Sequence, residues 1–389
     1  MTSPAIAQKF EQRFRHSPRT FRAPGRVNLI GEHTDYNEGF VMPAAVGFST
    51  YVAIAPRTDR KLAIHSEQFP GDLEFDLDHL PQERTGSWCD YVLGVAVVLQ
   101  RQGLKLPGAN LLVYGEVPIG AGLSSSAAIE VASAFALLDL GNMKLPLLEI
   151  AKMCRRAEND FVGARVGIMD QFVSCMGKAG HVLFLDCRSL DYKLVPIPPG
   201  IELVVCNTKV KHDLATGEYN RRREECEEGI RRFSKWNSAI HALRDVSLEM
   251  LEEHAEDLPA TIAKRCTHVI RENARTIEAA QALAAGNLAR IGMLMRESHQ
   301  SLRDLYEVSC RELDIMVDSA EGLPGFIGGR MTGGGFGGCT INLVREQDAG
   351  SFAEQIAERY HKATGIEPQI YPCTAEDGAQ QITLGRSAR

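Results

Sequence analysis

The chain lacks an apolar run near the roughly 18 residues needed to cross a bilayer. Its opening, MTSPAIAQKFEQRF, has no apolar core of the secretory type. A cytoplasmic protein with no membrane partner is therefore expected. Excess positive charge is also missing. The formal net charge is −7, which argues against a general affinity for nucleic acid. No two of the ten cysteines stand as C-x-x-C, so neither a zinc site nor a dithiol motif is indicated. We read them as reduced packing residues. Internal repeats and low-complexity tracts are absent as well.

The composition is that of a globular protein, with 44% hydrophobic and 24% charged residues. A length of 389 residues exceeds one ordinary core and implies two domains. Pro196, Pro198, Pro199 and Gly200 mark the best boundary. It divides the chain into an N-terminal part, 1–195, and a C-terminal part, 196–389. Strands are expected at 26–30, 40–46, 49–56, 111–114, 180–186, 203–207 and 368–372. Helices are expected at 88–101, 124–140, 147–163, 218–236 and 352–364, with two more across 261–307, split near Gly286 and Asn287. Strict β-α-β alternation is missing, so the pattern favours α+β over a doubly wound sheet.

Three glycine- or charge-rich blocks carry chemistry. Residues 115–130 read GEVPIGAGLSSSAAIE. A strand ends, Gly120 and Gly122 form a short loop, and Ser124, Ser125 and Ser126 open a helix. Glycines admit a ligand to the backbone, and a helix N-terminus attracts anions, so phosphate is expected here. Serine at the start reads as a helix cap. No lysine closes the loop, so this is not G-x-x-x-x-G-K-[ST]. Residues 22–40, RAPGRVNLIGEHTDYNEGF, gather Arg26, Glu32, His33 and Asp35 in one loop that is able to hold several sugar hydroxyls. A solvated surface loop is the competing reading. Residues 333–338, GGGFGG, formally match G-x-G-x-x-G. A dinucleotide site needs a helix next, whereas CTINLV reads as a strand. A glycine hairpin lying on a ligand, or on the first glycine loop, fits better. Finally, Glu158 lies on a helix and Asp170 stands in apolar company. Such a carboxylate needs a partner, and Arg26 is a candidate. Two carboxylates and a serine also suit Mg²⁺.

In chain order, 22–40 then 115–130 then 333–338, these blocks resemble the GHMP kinases, and GRVNLIGEHTDY and GIMDQF resemble the galactokinases among them. WCDYVLGV (88–95), MTGGGFGGC and GEYNRRREEC add to the likeness, which spans about 20–345. The resemblance implies a two-lobed GHMP fold with the active site between the lobes. It implies ATP-dependent phosphorylation of D-galactose on its anomeric hydroxyl, opening galactose catabolism. Asp170 would accept the proton, and Arg26 would pair with it and steady the transferring phosphoryl group. Glu32, His33, Thr34 and Asp35 would bind the sugar, with Tyr219 and Asn28 nearby. Gly120, Ala121, Gly122, Leu123, Ser124, Ser125 and Ser126 would wrap the nucleotide phosphates. Ser126 and Glu158 would hold Mg²⁺. A monomer is expected. A sugar sensor without turnover and a nucleotide-sugar oxidoreductase are the competing classes; the intact GLSSSAA, Arg26 and Asp170 disfavour the first, and the strand after GGGFGG disfavours the second.

Overall fold

The computed structural model describes residues 3–118, 120–211 and 215–382. Ile119 of the glycine loop and the outermost residues of both expected domains fall outside these. The N-terminal part begins with helix α1 (Ser3–Phe14). Its strands are β1 (Arg19–Asn28), β2 (Phe40–Val41), β3 (Pro43–Pro56), β4 (Lys61–Ser66), β5 (Leu73–Asp76), β6 (Ala109–Gly115), β7 (His181–Asp186) and β8 (Tyr192–Pro196). Helices α2 (Asp90–Arg101), α3 (Ser125–Leu140), α4 (Leu147–Ala157) and α5 (Met169–Met176) complete it. The C-terminal part holds β9 (Ile201–Lys211), β10 (Phe326–Thr332), β11 (Gly337–Arg345), β12 (Gln369–Cys373) and β13 (Gln380–Ile382). Its helices are α6 (Ala215–Trp236), α7 (Leu248–His254), α8 (Ala260–Ala284), α9 (Leu288–Ser301), α10 (Arg311–Ala320) and α11 (Ala349–Thr364).

A six-stranded sheet runs β13-β1-β3-β6-β4-β5, and a four-stranded one runs β10-β11-β9-β12. Only β4 and β6 pair in parallel among the registered pairs; the others are antiparallel. This is the mixed α+β arrangement that the missing alternation implies.

Alternation builds the second core. On β9, Leu203 and Val205 face one apolar cluster while Val204 and Cys206 face another. A period of two sends successive side chains to opposite faces, so a strand covered on both reads as a continuous apolar run. The first of these clusters also contains Val27, Leu29 and Ile30 from the N-terminal part. The two parts thus share one hydrophobic seam directly behind the 29–40 loop. In the N-terminal part, α3 is alanine-rich and buried along most of its length, which lets it lie close on the six-stranded sheet. All ten cysteines are free, and most are buried.

Two expectations change. The strands expected at 40–46 and 49–56 are one long strand, β3, preceded by the two-residue β2. The irregularity lies instead in pairing: the register of β1 on β3 shifts between Pro24 and Arg26. The chain also does not split cleanly at 195/196. Residue Ala375 bridges Val46, and β13 pairs with β1, so the segment after β12 returns to the N-terminal sheet.

Candidate active site

The register shift at Pro24–Arg26 is the kind of irregularity that re-aims a side chain. Arg26, on β1, turns into a cleft and is almost completely buried. Its Nε and Nη2 donate to Asp170 Oδ1 and Oδ2 at 2.6 and 2.7 Å. Its Nη1 donates to the Gly122 carbonyl at 2.6 Å, and its backbone N–H to the Leu123 carbonyl at 3.0 Å. One side chain therefore joins the candidate base to the glycine loop. Burial works against the guanidinium charge, but Asp170, Glu32 and Asp35 more than offset it and raise the Arg26 pKa.

Asp170 stands in the first turn of α5, where the helix dipole favours an anion. Ser124 brings a third donor. Its hydroxyl bonds to Asp170 Oδ2. Sequence reasoning makes a serine here the cap of α3; the structure does not. Ser124 is left-handed, at φ 57°, and makes no side-chain cap bond. The left-handed backbone and the bond donated to Asp170 aim its hydroxyl at the carboxylate rather than at the helix's own amides.

The loop after β1 holds the polar block. Helix α8 pins it from the C-terminal part. Glu272 accepts from the Gly31 amide at 3.0 Å, Asn273 from the Phe40 amide at 3.0 Å, and a ring nitrogen of His268 meets the Glu32 carbonyl at 3.2 Å. Within the loop, Glu32 is buried and accepts from the Gly333 amide at 2.7 Å, with Arg330 Nη2 at 3.3 Å. His33 Nδ1 and the Tyr36 hydroxyl are 2.8 Å apart, and that hydroxyl is 2.7 Å from the Tyr306 hydroxyl. Burial, followed by the charges of His268, Arg222 and Arg330, drives the His33 pKa well below the usual range, so its ring is neutral. Asp35 is raised to about 6 by burial and then by the Asp170 charge. A Cβ on Gly167 would overlap the Asp35 carboxylate, so only glycine lets this loop close on it.

Two residues expected near the sugar are occupied elsewhere. The Thr34 hydroxyl bonds to the Gly31 and Phe40 carbonyls at 2.8 and 2.7 Å, closing the loop on itself. Asn28 is fully buried; its Oδ1 accepts from the Met42 amide at 3.2 Å and its carbonyl from Arg330 at 3.0 Å. Thr34 is thus committed to the loop's own framework, whereas the Asn28 Nδ2 is buried without a partner.

Most of the remaining candidates meet around one cavity of about 290 Å³, which neither Glu158 nor Ala121 lines. Arg26, Glu32, His33, Asp35, Asp170 and Tyr219 line it together with Gly120, Gly122, Leu123 and Ser124–126. Gly333 and Gly334 form its floor. The hairpin β10–β11 lies against the first glycine loop: a Cβ on Gly333, at φ +87°, would sit 3.0 Å from the Gly122 carbonyl oxygen. Ala121 is buried behind the loop.

Glu158 closes α4 where it passes into a π turn, Glu158–Val162, a local form that recurs at functional sites. It is buried, and its pKa rises to about 7, from desolvation first and then the Asp170 charge. The Ser126 hydroxyl, Gln171 and Arg26 counter the rise. A buried carboxyl facing a serine and a second carboxylate is a place where a hard cation gains energy.

A second cleft, of about 220 Å³, shares Ser125 and Ser126 with the first. Phe69, Trp88, Tyr91, Val113, Val117 and Ile129 line it. The Phe69 and Trp88 rings stack at 5.6 Å and 17°. Sequence reasoning assigned no role to these residues. Trp88 lies in a recognisable block, but Phe69 is far from it in sequence, and only the sheet brings the two rings together.

Known proteins resemble this chain in sequence and in fold. The family model described as galactokinase galactose-binding signature matches residues 8–56, GHMP kinases N terminal domain matches 90–178, and GHMP kinases C terminal matches 279–362. The galactokinase of Chloroflexus aggregans is 48% identical, over 97% of this chain and 97% of its own. That of Roseiflexus sp. is 44% identical, over 97% and 96%. A crystal structure of Lactococcus lactis galactokinase complexed with galactose superposes with a TM-score of 0.94 at 36% identity, covering 97% of this chain and 99% of that one. A mevalonate kinase structure at 18% identity and a TM-score of 0.64 shares the fold. With long matches at such identity across both lobes, this chain belongs to the galactokinase family of GHMP kinases.

Proposed function

We propose that the protein transfers the γ-phosphoryl group of ATP to the anomeric hydroxyl of D-galactose, giving galactose 1-phosphate and ADP. The observation that carries the reading is Asp170, held by Arg26 and Ser124 between the sugar loop and the glycine loop. The sugar stands against Glu32, His33, Asp35 and Tyr219. Its anomeric oxygen bonds to the γ-phosphorus as the bond to ADP breaks, and its proton passes to Asp170. Both Asp170 oxygens already accept bonds from fixed donors, so the carboxylate is pre-aimed and aligns the attacking hydroxyl. Arg26 stabilises charge on the moving group.

The triphosphate lies along 120–126, where amide groups and the start of α3 replace the lysine of a P-loop. The cavity at Asp170 has room for one sugar and the reacting phosphate. The aromatic cleft beyond Ser125 and Ser126 receives the nucleobase, since flat apolar walls suit a π-face. Ser126 and Glu158 fit Mg²⁺ by the chemistry of their donors, a hydroxyl and a buried carboxyl in hydrogen-bonding contact, since this cation takes oxygen ligands. Bound there, the ion would neutralise phosphate charge.

The test is a panel of sugars with ADP release as readout. D-galactose is expected to give the highest kcat/KM, with galactose 1-phosphate as product. Consumption of homoserine or mevalonate without galactose would reject the reading, as would galactose binding with no ADP release.

A further inference from the structure

Glu130 and Gln171 are fully buried polar side chains that the reaction above does not use. Glu130 lies in the second turn of α3, just past the glycine loop. Gln171 follows Asp170 on α5. The Gln171 amide nitrogen donates to Glu158 Oε2 at 2.6 Å and to Glu130 Oε2 at 3.1 Å. Both of its N–H groups are thus committed to carboxylates. The opposite oxygens, Glu130 Oε1 and Gln171 Oε1, are buried without a hydrogen-bond partner.

This arrangement costs stability. A buried polar atom left unsatisfied is unfavourable, and an apolar side chain of the same volume would pack there more cheaply. Packing does not account for a carboxyl and an amide at these positions. Their connection to Glu158 does: Glu130 holds one N–H of Gln171, the other N–H grips Glu158, and Ser126 bonds to Glu158 as well. Burial, reinforced by the Glu158 charge, also pushes the Glu130 carboxyl well above the ordinary range.

We propose that Glu130 and Gln171 are positioning residues, a buried relay that fixes the orientation of the Glu158 carboxylate and so sets the affinity of the site for the nucleotide's divalent cation. The inference rests on the reading of Glu158 and Ser126 as cation ligands. Neither Glu130 nor Gln171 touches the reacting atoms. Partners behind a metal-binding carboxylate commonly govern affinity by 10–100-fold.

Calorimetric titration with ATP, with and without Mg²⁺, tests this on Gln171→Leu, Glu130→Leu, Glu130→Gln and Glu158→Gln. The two leucine variants should lose about tenfold or more of the affinity gained from Mg²⁺. Their affinities for galactose and for metal-free ATP should stay within about twofold. Glu130→Gln keeps a hydrogen-bonding amide in the same volume and should retain the Mg²⁺ gain. An unchanged gain in both leucine variants overturns the proposal. So does a parallel loss of galactose and metal-free ATP affinity tracking a lower Tm, which is the mark of mere packing. If Gln171→Leu does not fold, the contrast between Glu130→Leu and Glu130→Gln decides. An intact Mg²⁺ gain in Glu158→Gln would instead reject Glu158 as a cation ligand, and the relay with it.

Discussion

Arg26 and Asp170 lie 144 residues apart in sequence and meet through two parallel bonds of 2.6 and 2.7 Å, with the third nitrogen of Arg26 on the Gly122 carbonyl. The planar fork of arginine makes this three-way contact; the point charge of lysine does not. Arg26→Lys should therefore lower kcat by at least about tenfold and also raise the KM for ATP, because the glycine loop loses a tether. A normal kcat would show that charge alone suffices.

Asp170→Asn keeps the shape of the site and removes the proton acceptor. Turnover should fall by about 10²–10⁴-fold, the usual worth of a positioned acid or base. Galactose and ATP should still bind, as calorimetry would show. Near-normal turnover would take Asp170 out of the mechanism.

Ser124 has two separable properties: a hydroxyl on Asp170 and a left-handed backbone at φ 57°. Ser124→Ala and Ser124→Gly both delete the hydroxyl, but glycine accepts the backbone at no steric cost. Both should lose the same several-fold in kcat. The glycine variant should be more stable than the alanine variant by about 1 kcal/mol, read as a higher Tm. If kcat follows Tm instead, the hydroxyl has no part in aligning Asp170.

Asp35 titrates near pH 6 because burial and the Asp170 charge disfavour its anion. In the proposed role its carboxylate form would accept sugar hydroxyls, and its protonated form would lose an acceptor. Bound galactose thus favours the anion, releases a proton and weakens as pH falls through about 6, by up to tenfold per unit. Galactose affinity measured from pH 5 to 8 should show this slope, and Asp35→Asn should flatten it. A flat wild-type profile would remove Asp35 from sugar binding.

Trp88→Ala opens the aromatic cleft. The KM for ATP should rise by roughly tenfold, equivalent to about 1.4 kcal/mol of lost stacking, with galactose KM unchanged. Preference for ATP over other nucleoside triphosphates should weaken in the same variant. An unaffected ATP KM would place the base elsewhere.

Much of this site was legible before folding because its parts are contiguous. Gly120–Gly122, the three serines and the block from Arg26 to Asp35 are local patterns, and the apolar company of Asp170 already demanded a cationic partner. The glycine hairpin was readable too, since CTINLV cannot open a helix. What escaped was where each hydroxyl points. Ser124 looks like a cap until Asp170 stands within reach of its hydroxyl. Thr34 resembles its neighbours in sequence but points its hydroxyl at the loop's own carbonyls. The meeting of Phe69 with Trp88, the grip of Gln171 on Glu158 and the return of residues 380–382 to β1 are long-range pairings that periodicity does not encode.

That return has a consequence for how the chain is made. Until β13 emerges, the outer edge of β1 offers its amides and carbonyls at Thr20, Phe21 and Arg22 with no strand to receive them. Open edges recruit other chains. A chain cut before Gln380 keeps that edge of β1 bare. The three residues of β13 thus act as a guard: they leave this sheet a short edge where β1 would offer a long one.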